Sequence, residues 1–237
     1  MKATIIEIIK ESAGIKTFIL EPKEKYKFIA GQYASFSIKK DERTISRIFS
    51  ISCAPEKETI SFTTIISESD FKQEINKYTG GEEIEVSKPM GDFTLEKSKG
   101  KEIVFLAGGI GITPVKSMID HLSHVSEQPT ITLLYGNKTF DRIVFKKELE
   151  NYKAELNNFK LVHILSMEEN VPSGAEKGRI DSQIFQKYIS NVANKIVYIV
   201  GPPAFVEGMK LVTKEMHLLK INVITENFTG YLLEKTL

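Results

Sequence analysis

Short stretches in which apolar and polar residues alternate dominate the first part of the chain. A period of two with β-branched and aromatic residues predicts strands, and signals such as Gly80-Gly81 predict turns between them. Many short strands at this spacing indicate a closed or nearly closed antiparallel barrel, interrupted by one short helix at Asp70–Lys77. The predicted strands are Ala3–Ile9, Lys16–Leu20, Tyr33–Ile38, Arg47–Ser52, Thr59–Ile66 and Glu83–Val86.

The pattern changes near residues 96–101, after which apolar strands alternate with helices. This order predicts a parallel sheet covered on both faces. We therefore expect two domains, a β-barrel at residues 1–97 and an α/β domain with a five-stranded parallel sheet at residues 98–237. The predicted strands of the second domain are Ile103–Ala107, Ile131–Tyr135, Leu161–Leu165, Ile196–Val200 and Ile221–Ile224. Its predicted helices are Pro114–His124, Phe140–Glu155, Ser182–Ile189 and Ala204–Met216.

The sharpest local signal is the run Val104–Pro114, in which an apolar strand leads through glycines into a helix. We expect Thr113 to be the N-cap of this helix and Pro114 its first residue. Glycines permit a tight turn, and a helix N-terminus offers N–H groups to a pyrophosphate. Pro114 stands where the dinucleotide fingerprint has Gly or Ala, and Tyr135-Gly136-Asn137 stands where a ribose-binding acid is usual. A glycine-rich turn without a ligand is the alternative interpretation.

Composition and charge narrow the class of protein. Of 237 residues, 41% are hydrophobic and 27% charged, and 32 Lys and Arg face 31 Asp and Glu, so nothing favours a nucleic acid partner. The single cysteine, Cys53, excludes a disulfide within the chain and a cysteine-held iron–sulfur cluster. The four histidines show no metal-ligand spacing, so no metal is expected. No segment approaches ~18 consecutive apolar residues, so we expect a cytoplasmic protein without an integral membrane segment.

Five segments in order, with a closing tail at residues 226–231, resemble the ferredoxin–NADP reductase superfamily. Each segment alone is a weak signal, but their order and spacing extend the resemblance over nearly the whole chain. It implies a flavin-binding barrel followed by a nicotinamide-nucleotide domain. The segments are Phe28-x-x-Gly31-Gln32-Tyr33, Arg47-x-Phe49-Ser50-Ile51-Ser52, Pro89-x-Gly91-Asp92-Phe93, Gly108-Gly109-Ile110-Gly111-Ile112-Thr113-Pro114 and Gly201-Pro202-Pro203.

The resemblance implies FAD as the cofactor of the barrel, with FMN as the alternative. Arg47 is expected to bind the flavin phosphate, which suits a guanidinium because it can bind phosphate oxygens in a bidentate manner. Phe49, which replaces a more usual tyrosine, is expected to lie against the isoalloxazine or the ribityl chain, and Ser50 is expected near the flavin N5. The other implied flavin-binding residues are Ile51, Thr63, Thr64, Ile65, Lys72 and Gly91.

The segment Ser67–Lys72 departs from the family pattern, which has glycine and serine at a helix start that faces the pyrophosphate. Here Ser69 or Asp70 is expected to cap the helix, and the acids Glu68 or Asp70 can repel phosphate. Lys72 can offset that repulsion. The departure leaves open how tightly a flavin is held.

In the second domain the resemblance implies a site for NADH or NADPH along one edge of the sheet. Glu168 and Glu169 follow Ser166 and disfavour the 2′-phosphate of NADPH, although Lys177 and Arg179 can reach the same edge. Glu226 is expected near the flavin as a structural acid or, as a catalytic residue with Ser50, a proton donor. The implied nucleotide-binding residues are Gly108, Gly109, Gly111, Thr113, Pro114, Gly136, Asn137, Ser166, Gly201 and Pro202, and Phe228 is expected to cover the other flavin face.

These expectations describe an NAD(P)H-dependent flavin oxidoreductase. Hydride is expected to pass from the nicotinamide C4 to the flavin N5, with the rings stacked in a cleft between the domains. The acceptor is expected to be a separate redox protein of ferredoxin, haem or oxygenase type. Two alternatives stay open, a reductase that uses flavin as a substrate and a non-catalytic electron-transfer subunit of a larger complex.

Overall fold

The computed structural model describes residues 1–12 and 14–228. They form two compact units, each with its own sheet. Of the described residues, the first unit contains those of Met1–Thr94 together with Thr113–His124, and the second contains Leu95–Ile112 and residues 125–228. The division into functional domains at residues 1–97 and 98–237 stays a prediction.

The first unit is built on an antiparallel sheet. Its strands are β1 (Lys2–Ser12), β2 (Ile15–Pro22), β3 (Tyr33–Lys40), β4 (Arg43–Ser50), β5 (Ile60–Ile65) and β6 (Glu83–Val86). Their order across the sheet is β4-β3-β6-β1-β2-β5. An isolated bridge between Ile51 and Phe62 links the end of β4 to β5. The sheet therefore curls into the predicted barrel, and the short helix α1 (Asp70–Asn76) follows β5.

Aromatic rings from alternating strand positions fill the barrel. In β3 the side chains of Ala34, Phe36 and Ile38 are buried while their neighbours are more exposed, which is the period of two of a strand with one face on a core. The ring of Phe36 lies 4.3 Å from that of Phe62, and Phe62 lies 5.1 Å from Phe18. Because burial of one such side chain contributes about 1.5–3 kcal/mol, this cluster supplies much of the stability of the unit.

The helix α2 (Ile112–Ser123) is hydrogen-bonded to the barrel residues that follow β4. The buried carboxylate of Asp120 accepts the backbone N–H of Ala54 at 3.1 Å. The hydroxyl of Ser117 donates to the carbonyl of Cys53 at 2.5 Å. These side chains satisfy backbone groups that lie outside any strand, so α2 completes the hydrogen bonding of this part of the barrel.

The second unit is built on a parallel sheet with helices in its connections, as predicted. The order across the sheet is β10-β9-β8-β7-β11-β12, where the strands are β7 (Glu102–Gly108), β8 (Ile131–Asn137), β9 (Phe159–Leu165), β10 (Glu176–Lys177), β11 (Lys195–Gly201) and β12 (Val223–Asn227). The sheet has six strands where five were expected, because the two-residue β10 adds an edge to β9. The further helices are α3 (Lys146–Glu155), α4 (Ser182–Tyr188) and α5 (Pro203–Glu215).

The predicted helix Phe140–Glu155 is wrong in its first part. A 3-10 turn covers only Phe140–Arg142, and α3 begins at Lys146. Residues 143–145 between them are all buried, and Phe145 adopts the left-handed backbone conformation at φ 57°. Consecutive side chains of a helix point in different directions, so three buried neighbours fit an irregular segment better than a helical one.

The predicted strand Ile221–Ile224 begins too early. A 3-10 turn covers Lys220–Asn222, and β12 starts at Val223. Ile221 is 78% exposed and takes no part in the core. Its apolar side chain therefore misled the prediction of the strand boundary.

None of the helices within residues 1–12 and 14–228 has the length and apolar character needed to cross a bilayer. The same residues contain no group of three or more His, Cys, Asp or Glu side chains that could hold a metal ion.

Candidate functional site

The carboxyl edge of the parallel sheet contains a topological switch point. The strand β7 pairs with β8 on one side and with β11 on the other, so the chain leaves the ends of β7 and β11 in opposite directions along the sheet. Ligands of open α/β sheets bind at such points, outside the carboxyl ends of the strands. Gly108 and Gly201 are the last residues of these two strands.

One aromatic ring lies against glycines at or next to the ends of three neighbouring strands. A Cβ atom on Gly108 would lie 2.8 Å from the ring of Phe205, on Gly201 3.0 Å from it, and on Gly136 3.4 Å from it. Phe205 belongs to the first turn of α5 and packs against the core below the sheet edge. A Cβ atom at Gly108 or Gly201 would crowd this ring, whereas at Gly136 it would make only an ordinary van der Waals contact. Gly108 and Gly201 therefore keep the backbone of the edge bare.

The turn after β7 also approaches β11 closely. A Cβ atom on Gly111 would lie 2.7 Å from the Cα atom of Gly201 and 2.8 Å from the carbonyl oxygen of Val200. The hydroxyl of Tyr135 donates to the carbonyl of Gly109 at 3.0 Å and fixes the other side of the turn. The turn is therefore held against the strand ends by contacts that only glycine allows.

The expected capping of α2 is wrong. Residues Gly109–Gly111 form a 3-10 turn that continues directly into the helix, which begins at Ile112. Thr113 is then the second helical residue and Pro114 the third. Proline is tolerated there because the first N–H groups of a helix have no partner within it.

Asn137 is the last residue of β8, and Ser166 directly follows the last residue of the adjacent strand β9. The carbonyl of Asn137 accepts the backbone N–H of Ser166 at 3.0 Å and its hydroxyl at 3.3 Å. The side-chain Nδ2 of Asn137 is buried and has no hydrogen-bond partner. A buried donor without a partner is costly, so this amide fits an oxygen acceptor supplied by a ligand.

In the first unit, the β3–β4 hairpin carries a cluster of positive charge. Arg43 and Arg47 are exposed residues of β4, and Lys40, at the end of β3, pairs with Arg43 across the hairpin. The Nζ of Lys40 lies 2.7 Å from Oδ1 of Asp70, the first residue of α1. Lys40, and after it Arg43 and Arg47, hold the pKa of Asp70 below its usual value. Arg47 is thus exposed in a cationic environment that suits phosphate, with one carboxylate already present.

The ring of Phe49 packs on the barrel core. It stacks on Phe62 at 4.8 Å and lies 5.6 Å from the ring of Phe71 in α1, and it is half-buried. The next residues, Ser50 and Ile51, are buried. A flavin contact of Phe49 would use only the exposed part of its ring, and that contact stays a prediction.

The predicted residues of β5 are also largely buried. The hydroxyl of Thr63 bonds to that of Thr17 at 2.7 Å and lies 3.4 Å from that of Ser52. Thr64 is buried and donates to the carbonyl of Ile65 at 3.3 Å. The hydroxyl of Thr63 is therefore already used within the barrel.

Lys72 and Gly91 complete the predicted flavin-binding residues. Lys72 is buried in α1. Gly91 has φ 103°, and a Cβ atom there would lie 2.7 Å from the ring of Tyr33. Ser69 is the N-cap of α1, but its hydroxyl makes no capping hydrogen bond and is buried without a partner.

Part of the chain matches a known family model. Residues 105–210 match the family model of the oxidoreductase NAD-binding domain. The chain is similar to the flavohem-like FAD/NAD binding domain of nitric oxide dioxygenase from Vibrio cholerae O1 biovar El Tor, with a TM-score of 0.86 and 18% identity over 96% of this chain and 98% of that one. It is also similar to a ferredoxin NADP+ reductase from Neisseria gonorrhoeae with bound FAD and NADP, with a TM-score of 0.83 and 18% identity over 97% and 98% of the two chains. At 18% identity these two structures show that the chain shares the fold of these FAD- and NAD-binding proteins.

The curated relatives that the chain matches are longer proteins. Reductase component 1 of terephthalate 1,2-dioxygenase from Comamonas sp is 25% identical over 207 residues, which are 86% of this chain and 60% of that protein. The chain spans 58–60% of the length of the first three curated relatives that it matches.

The closing segment of the superfamily resemblance lies beside the glycine edge. Glu226 pairs with Val200 in the β11–β12 ladder, and the N–H of Phe228 donates to the carbonyl of Gly201 at 2.9 Å. Oε2 of Glu226 is buried without a partner, and burial raises the pKa of this carboxyl to about 7. Pro202 is the N-cap of α5. The predicted tail residues Thr229–Tyr231 lie outside the described residues.

A cavity of about 520 Å³ lies beyond the ends of β8 and β9. Glu168 reaches into its wall, where Oε2 accepts the backbone N–H of Phe140 at 2.8 Å. Asp141 also lines the cavity, and Lys146 places its Nζ 4.2 Å from the centre of the Phe140 ring. The cavity therefore combines an aromatic ring, one cation and two carboxylates.

Sequence reasoning missed Phe205, Phe140 and the Lys40–Asp70 pair. Phe205 stands two residues after Pro203 within the predicted helix Ala204–Met216, and no sequence signal indicates that its ring lies against Gly108 and Gly201 at the ends of two strands. Phe140 was assigned to the wrong element, and no periodicity connects Lys40 with Asp70, which lie 30 residues apart.

Proposed function

We propose that this chain is an NAD(P)H-dependent flavin oxidoreductase that passes electrons from the nicotinamide nucleotide through bound FAD to a separate acceptor protein. The observation that carries the proposal is the glycine-lined edge at the switch point, with the buried Nδ2 of Asn137 lacking a partner beside it. Bare backbone and an unused donor suit the phosphates and sugars of a dinucleotide.

The residues for the flavin are proposed in the barrel. The exposed guanidinium of Arg47 would hold phosphate, and Lys40 and Arg43 would add to the field around it. Ser50, at the buried end of β4, is the residue whose hydroxyl is proposed to lie near the flavin N5. When bound, a flavin accepts a hydride from NAD(P)H and can release its electrons singly.

We propose NADH as the preferred donor. The cavity beyond β8 and β9 presents Asp141 and Glu168, and Glu168 is fixed by the N–H of Phe140. Two carboxylates repel the doubly charged 2′-phosphate that distinguishes NADPH, while an acid can accept a hydrogen bond from the 2′-hydroxyl of NADH. Lys146 would weaken this discrimination without reversing it.

The acceptor is proposed to be a separate redox protein of ferredoxin, haem or oxygenase type. Support comes from a relative whose name identifies it as the reductase component of a dioxygenase. FMN is the alternative cofactor. Residence in the cytoplasm stays a prediction of the sequence.

The proposal is tested by a visible spectrum of the purified chain after incubation with FAD and removal of free flavin. We expect bound-flavin bands that bleach on anaerobic addition of NADH and more slowly with NADPH. A chain that binds neither FAD nor FMN in such an experiment is not a flavoprotein, and the proposal fails.

A second candidate is a reductase that uses flavin as a substrate. It is favoured by the Asp70 carboxylate, which lies 2.7 Å from Lys40 in the region proposed for phosphate and would loosen a flavin there. Gel filtration separates the two candidates, because flavin that stays with the protein excludes the second.

A further inference from the structure

A carboxylate of the chain itself, that of Asp70, lies within the cationic cluster of the β3–β4 hairpin. Asp70 Oδ1 lies 2.7 Å from Lys40 Nζ, and the two side chains are 62% and 27% exposed. Lys40 pairs with Arg43 across the hairpin, and Arg47 lies on the same strand as Arg43, four residues further along it. A carboxylate and a phosphate are both acceptors for the same cations, so the two compete for them.

The negative charge of Asp70 interacts with all three cations of the cluster. The pKa of its carboxyl is lowered first by Lys40 and then by the more distant charges of Arg43 and Arg47. Electrostatic interaction is mutual, so the carboxylate reduces the positive potential at Arg47 as much as Arg47 stabilises the carboxylate. The nearby Glu74, on the same helix, instead pairs with Lys77 at 2.7 Å.

We propose that Asp70 is a built-in competitor for the phosphate of a flavin at Arg47, which weakens the binding of FMN and FAD but leaves riboflavin binding unchanged. This inference rests on the proposed function. Asp70 thus sets how readily a phosphorylated flavin leaves this chain.

The test compares wild type with Asp70→Asn by titration of riboflavin, FMN and FAD, followed by flavin fluorescence at low ionic strength. We expect FMN and FAD to bind about two- to fivefold more tightly to the variant, the size of an exposed ion pair. Riboflavin, which has no phosphate, should bind equally to both. The gain should shrink at high salt, where exposed charges are screened.

The matched control is Glu74→Gln, which removes one negative charge from the same helix and should leave all three affinities as in wild type. Asp70 is also in the first turn of α1, where its negative charge interacts favourably with the helix dipole and stabilises the helix. Asp70→Ser, which keeps a small hydrogen-bonding side chain there, repeats the test if the asparagine variant is poorly folded.

Equal affinities of wild type and both Asp70 variants for FMN overturn this inference while leaving the proposed function intact. A gain that is as large for riboflavin as for FMN also overturns it, because the effect would then not involve phosphate. If no flavin binds to any of these proteins, the proposed function itself fails and this inference fails with it.

Discussion

Replacement of Glu226 by glutamine should make the protein more stable above neutral pH. The wild-type carboxyl has a buried Oε2 without a partner, and burial raises its pKa from the usual 4.5 to about 7. In the unfolded chain it ionises near the usual value. Between these two pKa values the unfolded state releases a proton that the folded state keeps, so the free energy of unfolding falls as the pH rises through this window.

The size of the effect follows from the displacement of the pKa. Each pKa unit corresponds to about 1.4 kcal/mol, so a carboxyl raised from 4.5 to about 7 costs the folded state about 3 kcal/mol at pH 8. Glutamine does not ionise and avoids this loss. We therefore expect Glu226→Gln to exceed wild type by about 3 kcal/mol at pH 8 and to differ little from it at pH 4.5.

The assay is urea unfolding at a series of pH values on flavin-free protein. The chain has no tryptophan, so circular dichroism in the far ultraviolet is the signal. The control is Glu207→Gln in α5, whose side chain is 67% exposed and whose replacement should leave the pH dependence of wild type in place. Parallel pH profiles for wild type and Glu226→Gln would refute the reasoning, because the buried carboxyl would then not be the group that titrates.

Three further predictions follow from contacts at the sheet edge, in α2 and in the cavity. Gly108→Ala should lower the free energy of unfolding by about 1–3 kcal/mol, since its Cβ would lie 2.8 Å from the ring of Phe205. The same change at Gly208, where nothing lies within 4 Å, should stabilise α5 by up to about 1 kcal/mol. Both are read by urea unfolding, and equal losses at the two sites would contradict the ring contact. Asp120→Ala should lower the free energy of unfolding by about 1–3 kcal/mol, because it leaves the buried N–H of Ala54 without its acceptor. Thermal unfolding measures this loss, and an unchanged melting temperature would contradict the prediction. Glu168→Gln should lower the KM for NADPH about two- to tenfold with little change for NADH, and steady-state kinetics with both donors would reject it if the two KM values moved together.

Much of the fold could be predicted because its signals are local. The alternation in β3 and the continuous apolar run of β7 each identify a strand without reference to the rest of the chain. The segment 140–145 could not be predicted in this way. Its polar and apolar residues are compatible with a helix, and only tertiary packing buries residues 143–145 side by side.

The candidate site could be predicted only in part, for a related reason. Glycines after a strand indicate a bare backbone, so Gly108 and Gly111 were found from sequence. The contacts that require glycine there come from Phe205 and from the backbone of Val200, about 90 residues further along the chain. The pairing of Lys40 with Asp70 is likewise set by how a helix packs on a hairpin, which no motif records.

The attachment of Asp120 has a consequence for protein engineering. A chimera that joins the first 97 residues of this chain to the remainder of a homologue keeps the Ala54 amide but takes the residue at position 120 from the homologue, so this hydrogen bond is retained only where that residue is also an acceptor. A crossover placed after His124 instead retains Asp120 and Ser117 together with the backbone groups that they satisfy. Libraries of recombined proteins built on this scaffold should therefore yield more folded members when the junction follows α2 than when it follows the last barrel strand.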